Sequence, residues 1–186
     1  MSNSFQSRTA SPLRRLSQVS NPGLLVFVAD PLDLVFSLTQ APLPAQAIEE
    51  IQGLVTSVFE SLDPDVPWRI ANMPAFTVFE ARSAGVLVGF KMGYAHTRRR
   101  YYSWLGGVHP DFRHRGIARR LMTSQHRWLT EQGYTRVETS ARDDNIAMIQ
   151  LNLSSGFGKV GTRLKDGHRN TVFEKQLVAS GPNQVA

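Results

Sequence analysis

The chain has 186 residues, a formal net charge of +6, 41% hydrophobic residues and no cysteine. That length suits one domain able to bury about 70% of the surface its unfolded form exposes. The lack of cysteine excludes disulfides, thiol nucleophiles and cysteine metal sites, which suits a reducing cytoplasm, and no apolar run reaches the length a membrane-spanning helix needs.

Residues 1–22 hold six Ser, three Arg and no acid, too little apolar surface to offset ordering, so they are expected to form a disordered tail. An organellar transit peptide would share that composition. A domain over 23–178 and a short C-terminal tail over 179–186 complete the expected organisation. Two apolar runs, Leu24 to Val28 and Leu34 to Leu38, flank Asp30-Pro31, where proline cannot donate to a strand ladder. One of them is expected to be the first strand. Pro44 then stands at a helix start, and Ile48, Ile51, Val55, Val58, Phe59 and Leu62 recur at three- and four-residue steps, the stripe of an amphipathic helix.

Pro64, Pro67 and Pro74 mark a loop with at most a short helix at Trp68 to Asn72. Phe76 to Ala81 and Val86 to Ala95 read as strands of a hairpin joined by residues 82–85, and Tyr101 to Val108 as the next strand. Apolar positions from Ile117 to Leu129 predict a helix ending near Gly133, followed by a strand at Val137 to Ser140 and a helix over 145–154. Phe157 to Thr162 and Thr171 to Leu177 close the domain around a turn at Asp166-Gly167. The fold class is therefore mixed α/β, with a mainly antiparallel central sheet, flanking helices and one crossover.

The basicity is local. Residues 96 to 120 hold seven Arg against one Asp, which equals the whole excess of charge, and a patch of that kind attracts polyanions such as coenzyme A or nucleic acid. Within it, Arg113, His114, Arg115, Gly116, Ile117, Ala118 and Arg119 join a strand to a helix. The first helical turn has backbone N–H groups without intrahelical partners and the positive end of the dipole. Gly116 lets main chain approach a diphosphate, and the arginines add charge. Neither the P-loop nor the three-glycine dinucleotide pattern fits. Gly106 and Gly107, adjacent in the preceding strand and followed by Val108, predict a bulge or a closely approaching ligand. The five histidines, at 96, 109, 114, 126 and 168, show no metal-binding spacing, and no metal is expected.

Arg113-x-x-Gly116-x-Ala118 resembles the acyl-coenzyme A loop of the GNAT N-acetyltransferases, and the run from Asn145 to Phe157 resembles that family's second signature. The resemblance covers about residues 76 to 177 and implies the GNAT-like acyl-CoA N-acyltransferase fold. It also implies acetyl-CoA as acyl donor and direct transfer to a primary amine, on a small molecule or a peptide, in a monomer or homodimer. In that family the strand holding Gly106, Gly107 and Val108 binds pantetheine, and Asn145 either contacts it or caps its own helix. The position where the family often places a basic Glu is here Tyr102, so Tyr102, acting through water, and Glu80 on the adjacent strand are the candidate bases. The family's acidic Tyr is replaced by Asn152, which can give the sulfur only a hydrogen bond. Arg98, Arg99 and Arg100 could meet a ribose phosphate, an acidic acceptor or RNA, or lie in a solvated loop. An aminoacyl-tRNA acetyltransferase of toxin type, or a non-catalytic coenzyme A-sensing or RNA-binding module, are the alternatives.

Overall fold

The computed structural model describes residues 25–27, 33–59, 64–165 and 167–178. The two expected tails, Leu62 and Asp166 lie outside the described residues. Both early apolar runs form strands, β1 (Leu25–Phe27) and β2 (Leu34–Gln40), paired antiparallel. In β2 the alternation Leu34, Phe36, Leu38 inward and Val35 outward is that of a half-buried strand. Helix α1 (Ala45–Phe59) buries Ile51, Leu54 and Val55, and α2 (Asp65–Asn72) buries Val66 and Ile70.

Strands β3 (Thr77–Ser83) and β4 (Val86–Thr97) form the expected hairpin. Its turn is tighter than the four residues expected, because Ala84 (φ 48°) and Gly85 (φ 83°) both take the left-handed conformation of a two-residue connection. Strand β5 (Arg100–Val108) leads through a short 3-10 turn at Pro110–Phe112 into α3 (Ile117–Glu131). Strand β6 (Arg136–Arg142), helix α4 (Ile146–Ser154) and the hairpin of β7 (Gly158–Lys165) and β8 (His168–Gln176) complete the chain.

The sheet order is β1-β2-β3-β4-β5-β6-β8-β7, with β5 and β6 parallel and the other neighbours antiparallel. Two buried clusters cover its two faces. One joins α3 to Leu34, Phe36, Leu38, Tyr101, Val137 and Phe173, and the other joins α1 and α2 to Val78, Phe90, Met92 and Tyr102.

Two irregularities shape the middle of this sheet. The β4–β5 register jumps between Met92, opposite Leu105, and Gly93, opposite Ser103, so Trp104 is the extra residue of a bulge. This corrects the expected position: Gly106 and Gly107 pair regularly with Lys91 and Phe90. Gly107 is small for another reason, since a Cβ there would stand 2.7 Å from Val58 Cγ1 of α1. The second irregularity is the parallel pair. β5 and β6 are in register over Arg100↔Arg136, Tyr101↔Val137 and Tyr102↔Glu138, and the ladder stops there. Beyond it side-chain bonds tie the strands before they part, Thr139 Oγ1 to the Ser103 carbonyl at 2.8 Å and the Tyr102 hydroxyl with Ser140 Oγ at 3.1 Å.

Candidate active site

The parting of β5 from β6 opens two cavities that meet inside the sheet. The first, about 480 Å³, runs along β5 at Gly106, Gly107 and Val108 to Arg113 and His114, with α3 and α4 as its walls. The second, about 450 Å³, continues from Gly106 to Tyr102, Ser103 and Trp104 and is closed by β6 and the β7–β8 hairpin. Phe59, Lys91, Gly106, Asn145 and Met148 line both.

At the mouth of the first cavity the loop is curled by two left-handed residues, His114 (φ 62°) and Gly116 (φ 76°), the latter serving as N-cap of α3. Gly116 tolerates this conformation without a Cβ penalty, and a Cβ there would meet nothing within 4 Å. That open space adjoins the first-turn N–H groups of α3. Arg113 Nε donates to the Val108 carbonyl at 3.3 Å, folding its stem over the strand end. Arg113, His114 and Ala118 face the cavity. The other loop positions do not line it. Arg115 stacks on Phe112, with its guanidinium carbon 5.1 Å from the ring centroid. Ile117 is buried in the core beside Leu121, and Arg119 reaches Ser154 of α4 at 3.4 Å. Asn145 caps its own helix, its side chain accepting from Met148 N at 3.1 Å as the N-cap of α4, and it also lines both cavities.

The three candidate catalytic residues are not brought together. Tyr102 lines the second cavity, and its hydroxyl is bound by Arg163 and by Ser140 Oγ at 3.1 Å. Glu80 lies elsewhere, buried against α1, where Arg82 holds it at 2.9 Å and Glu50 at 2.6 Å in one cluster. Asn152 is 1% exposed, lines neither cavity, and has no partner for either amide atom among the described residues.

Two cavity-lining residues were not singled out in the sequence. Arg163 extends from β7 to lie over Tyr102, its guanidinium carbon 5.5 Å from the ring centroid, and donates to Ser140 Oγ at 2.7 Å. Nothing in the exposed β7 pattern marks it. Lys91 of β4 is buried at the junction of the cavities, and its ammonium has no hydrogen-bond or ion-pair partner among the described residues. Burial lowers it to about 8. The sequence did carry a signal here, because Lys91 is the single charge in the run Val86 to Ala95.

A family model of the Acetyltransferase (GNAT) family matches residues 45–157. An acetyltransferase of Pectobacterium atrosepticum is 40% identical over 113 residues, covering 55% of this chain and 77% of that protein. The chain belongs to the GNAT acetyltransferase family. Its fold is also that of the ribosomal-protein-S18-alanine N-acetyltransferase of Escherichia coli, with a TM-score of 0.66 at 17% identity over 78% of this chain and 97% of that one. A GNAT family acetyltransferase of Elizabethkingia anophelis, solved with acetyl-CoA bound, superposes with a TM-score of 0.60 at 11% identity over 76% and 98%. Among the described residues no group of His, Asp or Glu is gathered as a metal site, and no helix is long and apolar enough to cross a membrane.

Proposed function

We propose that the chain transfers the acetyl group of acetyl-CoA directly to a primary amine held in the same cleft. The observation that carries this reading is the break in β5–β6 pairing beyond Tyr102, which leaves one edge of β5 free beside a loop suited to a diphosphate. In this reading the diphosphate lies against the first turn of α3 with Arg113 beside it, and the pantetheine follows β5 past Val108 and Gly107. The thioester then stands near Gly106, where the cavities join. Strand N–H groups facing the gap polarise its carbonyl, and the dry walls strengthen that interaction. The amine enters along the second cavity and attacks from the Tyr102 side. Tyr102 and its bound solvent take the proton the new amide gives up.

The second cavity also supports a class of acceptor. Arg142, Arg163, Lys165 and His168 line it and no Asp or Glu does, among the described residues. Arg142 is balanced by Asp144 at 2.5 Å, whereas among the described residues Arg163 hydrogen-bonds the hydroxyls of Tyr102 and Ser140 and meets no carboxylate. Such a site repels a polycationic amine and favours one that carries its own carboxylate or phosphate. A like-signed surround also favours the neutral, nucleophilic form of the amine.

Thiol release from acetyl-CoA, measured with α-amino acids and with their uncharged α-carboxamides, tests both statements. The free acids are expected to exceed their amides by about tenfold in kcat/KM, and Arg163→Glu to remove that preference, the loss of one charge-assisted contact. Turnover of the amides or of polyamines at equal rates refutes the acceptor class alone, whereas a chain that neither binds acetyl-CoA nor releases thiol refutes the transferase reading.

A further inference from the structure

The chemistry at the junction lacks a proton donor. When the acetyl carbon leaves sulfur, the thiolate must be protonated. Asn152 lines neither cavity, and an amide has no proton to give at neutral pH. The Tyr102 hydroxyl is engaged by Arg163 and Ser140 at the acceptor end.

Lys91 is the group the fold places there. Lysine is rarely buried without a partner, because an ammonium in apolar surroundings destabilises the folded state. Packing does not require an amine: on β4 it lies opposite Phe79 of β3 and Gly106 of β5, and a methionine would fill similar space without charge. Yet Lys91 stands where donor and acceptor cavities join, and its register partner Gly106 has no side chain to screen it from the passage. A charge kept at such a cost, facing the reacting centre, is a functional charge.

We propose that Lys91 is the catalytic acid of this chain and gives its ammonium proton to the coenzyme A sulfur. The proposal rests on the acetyl-transfer reading above. In the step, the neutral amine nitrogen bonds to the acetyl carbon, the carbon–sulfur bond breaks with its electron pair on sulfur, and a Lys91 proton goes to that sulfur. The new amide nitrogen loses its extra proton to solvent at Tyr102, and Lys91 takes a proton back from water. The products are the N-acetylated amine and free coenzyme A. Burial brings Lys91 to about 8, close to the roughly 8.5 of an ordinary thiol, so neither side holds the proton strongly. The charged or titratable groups that share the two cavities with Lys91 are Arg113 and His114 on the donor side and Tyr102, Arg142, Arg163, Lys165 and His168 at the acceptor end, and His126 of α3 lies close enough to feel its charge. A comparison of parent and variant holds all of them constant.

The test follows thiol release from acetyl-CoA, with water alone and with the best amine of the panel, in the full chain and in Lys91→Met and Lys91→Gln. Both variants are expected to bind acetyl-CoA within about threefold of the parent and to lose about 10²-fold in turnover, the scale of a general acid. They should also lose the parent's decline in kcat above about pH 8, and Lys91→Met should melt at or above the parent's temperature. Turnover within about threefold of the parent in either variant overturns the proposal. So does an acetyl group found by mass spectrometry on Lys91 itself, which would make it a nucleophile. A joint loss of melting temperature and acetyl-CoA binding in both variants makes the role structural and overturns it as well. A parent that fails to bind acetyl-CoA refutes the underlying transferase reading instead.

Discussion

Lys91 and Gly106 are register partners across β4 and β5, so a buried ammonium faces the cleft over a neighbour that has no side chain. The pairing has a consequence for stability. Burial lowers Lys91 from 10.5 to about 8, and the unfolded chain therefore binds more protons than the folded one across that window. Stability is expected to rise with pH from about 8 to 10.5 on account of this group, and its cost is fully present below about pH 8. The cost is about 3 kcal/mol. Lys91→Met should flatten the rise and be more stable at pH 7 by an amount of that order, which urea unfolding at pH 7, 9 and 10 measures. Parallel slopes in the two proteins would contradict the account.

His126 has an effect of the same sign at acid pH. Its ring is buried beside Phe157, with Nδ1 3.2 Å from Lys175 Nζ, and burial, then Lys175, then Lys91 lower it to about 3. The unfolded chain takes up this proton near pH 6.5 and the folded one only near pH 3. Stability is thus present above about 6.5 and lost as pH falls toward 3, by roughly 5 kcal/mol at the limit. His126→Gln should weaken that dependence, as thermal unfolding at pH 4 and pH 7 would show.

Gly93 sits at the β4–β5 register jump, and an added Cβ there would collide with the Tyr102 carbonyl and the Tyr101 ring. Neither yields cheaply, because Tyr101 is fully buried and its hydroxyl meets Thr77 at 2.5 Å. Gly93→Ala is expected to cost about 3 kcal/mol or more, against roughly 1 kcal/mol for an ordinary strand substitution. Unfolding midpoints of the two proteins decide between those values.

Gly116→Asp places a carboxylate in the space beside the first turn of α3 and forces an L-residue to φ 76°. Acetyl-CoA binding should fall by at least about 10²-fold, from repulsion of the diphosphate together with backbone strain. Gly116→Ala, which strains without charging, should lose much less. Calorimetric titration of both variants separates the two causes, and undiminished affinity in the Asp variant would remove the loop from the donor site.

The parts of the site that were legible in the sequence are those fixed by local chain chemistry. The loop from Arg113 to Ala118 needs a left-handed glycine before a helix, and Asn145 caps the next helix through a bond three residues on. The bulge at Trp104 was not legible, because register is settled by strands meeting in space and two adjacent glycines were a more obvious mark. Glu80 illustrates the same limit. As a strand carboxylate it was a fair candidate base, yet its function in the fold depends on Arg82 and on Glu50, a residue 30 positions earlier on another element. Tyr102 was found through its place in a known pattern, while Arg163, which positions it, comes from the far edge of the sheet.

The gap between β5 and β6 gives the cleft two doors. On the proposed reading, a donor seated past α3 and α4 leaves the cavity beside β6 and the terminal hairpin to the amine, so neither reactant has to wait for the other to arrive or depart. Spent coenzyme A should therefore compete with fresh acetyl-CoA while leaving the amine's own affinity nearly unchanged, and the acetylated product should do the reverse. Two-way traffic of that kind would be set by where a short parallel ladder ends.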